Sequence, residues 1–72
     1  MPSTTWIYNV LSQHGYKQTP PREKVIKAIT RFSGLFSTND IIKKTAGADR
    51  VSVYRTVELL TDLDIIHPVT LR

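Results

Sequence analysis

Cysteine is absent from the chain, which removes disulfides and thiolate metal sites as sources of stability. Histidine is scarce: His14 and His67 stand far apart and show no ligand spacing. No apolar run approaches the roughly 20 residues that span a bilayer. The opening MPSTTW has neither a basic region nor an apolar stretch, so no secretory signal is expected. These absences point to a cytoplasmic protein with no membrane partner. There is also no nucleophile–base spacing and no glycine-rich phosphate loop. The serines and threonines stand where helix caps account for them. An enzyme is the class least expected, and no catalytic residue or metal ligand is assigned.

What is present fits one small domain, residues 1–72. A core of this size contributes little surplus stability, so capping and pattern matter to folding. The net charge is +4, and its placement is uneven. Nine of the ten basic residues lie at or before Arg55, opposed by Glu23, Asp40 and Asp49. From Thr56 onward, Arg72 alone opposes Glu58, Asp62 and Asp64. Such an excess attracts nucleic acid or another anionic surface. On charge alone an ordinary soluble surface is an equal alternative.

Four helix patterns follow one another, at about residues 5–14, 20–33, 38–46 and 50–63. In the first, Trp6, Ile7, Val10 and Leu11 form one buried stripe, and Gly15 stands at the C-terminal cap. In the second, Thr19 caps and Pro20 takes the first helical position, where its missing N–H costs nothing. Val25, Ile26, Ile29 and Phe32 line one side, leaving Lys24, Lys27 and Arg31 to solvent. The third opens on FSTNDI, with Ser37 as cap and Asp40 three residues on. That is a capping box, flanked by a Phe36–Ile41 hydrophobic staple. Gly47 ends it, Asp49 caps the fourth, and Ala48 and Val53 take its staple positions. So short a link predicts a helix-turn-helix. Beyond Asp64, IIHPVTLR is rich in β-branched residues, and Pro68 confines it to an edge strand. The expected fold is mainly α: a winged helix-turn-helix whose wing, a strand at about 65–71, is cut short. A lone strand needs a partner, and exchange with a second copy is one source.

The stretch DRVSVYRTVELL divides in two. At 100° per residue, Val53, Val57 and Leu60 cluster as a core face with Thr56 and Leu63 beside them. Val51, Tyr54, Arg55, Glu58 and Asp62 fall on the opposite arc. Cations and a tyrosine crowd the first turns, where the peptide dipole also favours an anion. The acids lie one and two turns on, so such a helix enters a groove N-terminus first. Arg50, at the first helical position, opposes the dipole unless an anion arrives. Plainer roles stand beside these: Tyr54 packed on a neighbouring helix, Arg55 solvated or paired with Glu58, Ser52 as a first-turn hydroxyl.

HGYKQTPPREKVIKAI, LFSTNDII and VSVYRTVELLTDLDII resemble, in order and spacing, the DNA-binding domain of the ferric uptake regulator family. The likeness covers roughly residues 8–72. It implies a winged helix that binds A·T-rich inverted repeats of double-stranded DNA as a homodimer, as part of a transcriptional repressor. It also implies roles. Tyr54 touches bases in the major groove, Arg55 holds phosphate or a base edge, and Ser52, where the family usually has Thr, holds phosphate. Lys17 reaches the minor groove, and Arg22 matches the arginine of Thr-Pro-x-Arg, with a plain surface role equally open to it. Arg50 and Thr56 complete the expected DNA-binding set. Members usually continue into a second domain with dimerisation and metal-sensing residues, none of which lies in these 72 residues. Leu35 stands where many members place a metal-binding histidine. No cofactor is therefore expected in this chain.

A second function class stays open: a winged-helix protein-interaction module, with Val51 and Tyr54 as an apolar anchor pair for an acidic partner or a second copy.

Overall fold

The computed structural model describes residues 3–32 and 34–69. Over these the chain is mainly helical, with α1 (Thr4–Gln13), α2 (Pro20–Ile29), α3 (Thr38–Lys44) and α4 (Arg50–Asp62) in order. Each helix starts where a side-chain oxygen satisfies a free backbone N–H. Ser3 accepts from the Trp6 N–H at 3.1 Å, and Thr19 from the Arg22 N–H at 3.4 Å. In the capping box the Asp40 N–H donates to Ser37 Oγ at 3.2 Å, while the Ser37 N–H donates to Asp40 Oδ2 at 2.8 Å. Asp49 Oδ2 accepts from the Ser52 N–H at 3.1 Å.

α2 and α4 pack on each other, and α3 packs on both. Val25, Ile26 and Ile29 of α2 meet Val53, Val57 and Leu60 of α4, with Ile41 of α3 between. Phe36 and Ile41, the expected staple, are both buried. Phe32 and Phe36 stack with ring centroids 5.1 Å apart, which closes the core over the α2–α3 connection.

α1 lies against α2 alone among the helices, so only a narrow stripe is covered. Ile7 and Leu11, one turn apart, fill it. Trp6, expected in the core, is 47% exposed: it lies a third of a turn round from Ile7, and no other helix reaches that side. Gly15, at φ +82°, ends α1 with the Tyr16 N–H donating to the Leu11 carbonyl at 2.9 Å, the six-residue closure that a left-handed residue permits.

Two helix ends fall short of expectation by more than one residue, each because local hydrogen bonds take over the helix end. α2, expected to residue 33, stops at Ile29. The Arg31 and Phe32 amides donate to the Ala28 and Ile29 carbonyls three residues back, tightening the last turn; Ser33 itself lies outside the described residues. α3, expected to residue 46, stops at Lys44, where Thr45 Oγ1 donates to the Ile41 carbonyl at 2.9 Å. The turn into α4 therefore runs from Thr45 to Asp49, with Gly47 at φ +92°.

The strand expected at 65–71 does not form among the described residues; 70 and 71 lie outside them. Asp64 takes φ +61°, its N–H donates to the Thr61 carbonyl at 3.0 Å, and the Ile65 N–H to the Leu60 carbonyl at 2.9 Å. The α4 cap thus consumes amides that a ladder would need, and Pro68 has none to give. Ile65 and Ile66 turn into the core instead. What remains is one isolated parallel bridge between Ser37 and Val69, with the Val69 N–H donating to the Phe36 carbonyl at 2.9 Å.

Candidate nucleic-acid interface

α4 shows the two faces its spacing predicts. Val53, Thr56, Val57 and Leu60 are buried, while Arg50, Val51, Tyr54, Arg55, Glu58 and Asp62 are exposed. Tyr54 is 50% exposed, so half of its surface stays open to solvent. Arg55 has no ion-pair partner among the described residues, including Glu58 one turn on.

The starts of α2 and α4 meet across a shallow cavity of about 140 Å³. Thr19, Pro21 and Arg22 line it from the α2 side, and Ser52, Arg55 and Thr56 from α4. Two guanidinium-bearing residues distant in sequence thereby share one concavity, beside the positive end of the α4 peptide dipole.

Arg22 also organises the loop before α2. Its Nη1 donates to the Lys17 carbonyl at 2.6 Å, and its guanidinium carbon lies 5.5 Å from the Tyr16 ring centroid. A cation over an aromatic face and a charge-assisted hydrogen bond fix the same side chain twice. Lys17 itself is exposed, its backbone pinned and its ammonium left to solvent. Tyr16 was not among the expected site residues. Nothing in local periodicity could have marked it, because it lies in a loop six residues before its partner.

The remaining expected residues separate. Ser52 Oγ donates to Asp49 Oδ2 at 3.0 Å, so its hydroxyl is engaged in the cap, with a carboxylate at the helix start. Arg50 lines a different cavity beside the α3–α4 turn, with Lys43. Thr56 is 4% exposed and its Oγ1 donates to the Ser52 carbonyl at 2.8 Å. Its hydroxyl is spent inside the helix, and its place is in the packing beneath the exposed face.

Among the described residues no three His, Asp or Glu side chains stand together. His67 Nε2 lies 3.0 Å from Asp64 Oδ1, both well exposed, and Leu35 is 86% exposed without a donor atom.

No curated protein and no solved structure matches the chain significantly. Residues 13–72 match the ferric uptake regulator family, from the end of α1 through the Arg22 loop, the α3 capping box and the whole of α4. With most of its length covered by that match, the chain belongs to the ferric uptake regulator family, a family of DNA-binding transcription regulators.

Proposed function

We propose that the chain is the sequence-specific DNA-reading unit of a repressor, a winged helix-turn-helix in which α4 enters the major groove N-terminus first. The observation that carries this is the exposed Tyr54–Arg55 pair, set where Arg22 converges on the same helix start. Tyr54 supplies an apolar edge for base contact, such as a thymine methyl. Arg55 and Arg22 hold phosphate or a base edge, Arg50 holds flanking phosphate, and Lys17 reaches into the adjacent minor groove. Groove contacts of this kind specify, while phosphate contacts set register. The target is an A·T-rich inverted repeat read by two copies in the cytoplasm. One copy on one half-site binds weakly, because it neutralises few phosphates.

Glu58 and Asp62 support the insertion direction. They stand further along the exposed face of α4, and a helix lying flat would bring them against the backbone. Fluorescence anisotropy on an A·T-rich duplex tests the reading. Arg55→Ala and Tyr54→Ala each lower affinity by about 1–3 kcal/mol, and Glu58→Ala leaves it equal or higher. Binding that does not weaken with salt, or that ignores both substitutions, rules the proposal out.

A second reading is favoured by one observation: Val51 and Tyr54 are both about half exposed on the same helix. Together they form an apolar pair suited to a protein partner. Light scattering with and without duplex separates the two, since a concentration-dependent dimer indifferent to DNA supports protein docking.

A further inference from the structure

We propose that a second basic track, running from α2 across the end of α3, grips one sugar-phosphate strand of the duplex that α4 reads. The proposal rests on the DNA-binding reading above. Lys24 and Lys27 lie on the solvent side of α2 and Arg31 in the turn that follows it, and all three are exposed. Opposite them, Lys44 at the end of α3 completes a concavity of about 270 Å³ whose other walls are Ala28, Thr45 and Ala46. No carboxylate lines it. Thr45 and Ala46 also border the next cavity, of about 300 Å³, which carries Lys43 and ends at Arg50, the first residue of α4. The two concavities make one cationic path leading to the tip of the helix proposed to read the groove.

The nearby acids are already engaged. Glu23 Oε1 pairs with Lys27 Nζ at 2.8 Å, Asp40 closes the α3 capping box, and Asp49 caps α4. Lys24, Arg31 and Lys44 have no ion-pair partner among the described residues. Like charges gathered this way repel one another unless an anion neutralises them.

The shape selects among anions. Lys24 and Lys27 stand about one helical turn apart on α2, and Arg31 follows just past its end, so the cations are spread along a line and not gathered round one point. A single phosphate would meet only part of the track. Stable seating in a lipid interface draws on an apolar face beside the cations, and a protein partner on a buried aromatic or aliphatic anchor. The first concavity offers only two alanines, a threonine and the cations.

The test compares the whole chain with its triple variant Lys24→Gln, Arg31→Gln, Lys44→Gln, by anisotropy on an A·T-rich duplex over a series of salt concentrations. The plot of log affinity against log salt becomes shallower by about 2 to 3 units, close to 0.9 for each lost phosphate contact. Independently, acetylation of the unaltered chain read by mass spectrometry finds Lys24 and Lys44 protected when duplex is bound. An unchanged slope with equal labelling overturns the track even if Arg55→Ala weakens binding, so the function survives without it. A chain that binds no duplex at all removes both. Loss of binding to phosphatidylserine vesicles with an unchanged DNA slope overturns the track in favour of a membrane surface.

Discussion

Arg22 holds Lys17 by the backbone, not by the side chain: the guanidinium donates to the Lys17 carbonyl at 2.6 Å while the ammonium of Lys17 stays in solvent. The loop that carries one cation is therefore positioned by another, which itself lines the cavity at the start of α4. In the proposed complex this couples the minor-groove and major-groove contacts through one side chain.

Replacing Arg22 should consequently cost more than a phosphate contact. Arg22→Ala is expected to lower DNA affinity by about tenfold and to speed amide exchange from Lys17 to Thr19. Arg22→Lys should restore little of either, because an ammonium cannot stack on Tyr16 and reach the carbonyl in the same fixed geometry. Anisotropy together with residue-resolved hydrogen exchange checks both halves.

Asp49 places a carboxylate where a phosphate is expected to arrive, because it caps α4 and holds the Ser52 hydroxyl. Asp49→Asn keeps an acceptor for the Ser52 N–H and removes the negative charge, so affinity should rise by about threefold at low salt. Asp49→Ala should instead destabilise the domain by about 1 kcal/mol and lower affinity, since the helix start frays. Thermal melts and anisotropy on the two variants separate the cap from the charge.

Acid stability should report on Asp40. The Ser37 N–H, then the Ser37 hydroxyl, hold its carboxyl below the usual range against a small opposing effect of burial, and Lys43 adds to the lowering. A carboxylate depressed in the folded chain stabilises it above the unfolded value, near 3.9. That contribution is lost as pH falls through the lower folded value. Asp40→Asn should flatten the acid limb between about pH 5 and pH 2, measured by urea unfolding at successive pH values.

Leu60 is fully buried where α4 meets the core, and its carbonyl also accepts the Ile65 N–H. Leu60→Ala should cost about 3 kcal/mol, a large part of the roughly 4–11 kcal/mol expected for a domain this short. Circular dichroism should find the variant partly unfolded near body temperature, with Glu58→Ala, one helical face away, melting like the parent.

Helix starts were legible along the chain because each is decided within a few residues. Thr19 before Pro20, Ser37 with Asp40, and Asp49 before Arg50 each satisfy amides in their own first turn, whatever the rest of the molecule does. The two faces of α4 were legible for a similar reason, since a period of 3.6 sorts Val53 and Leu60 from Tyr54 and Arg55. Helix ends were harder to place. Thr30, Thr45 and Asp64 stop their helices through local carbonyl bonds that compete closely with continued winding, and composition does not decide such a contest.

Residue order alone therefore determined the four helices, the starting caps of α2, α3 and α4, and the outward-facing tyrosine–arginine pair, because those features depend on spacing and nearest-neighbour hydrogen bonding. The fold decided what spacing cannot express: that Trp6 stays half exposed because α1 has only α2 to cover it, and that Thr56 is buried. It also brought Arg22, which holds the Lys17 carbonyl and lies over Tyr16, to the foot of α4 beside Ser52 and Arg55. Those meetings join groups some thirty residues apart, and only the packing of α2 on α4 brings them within reach.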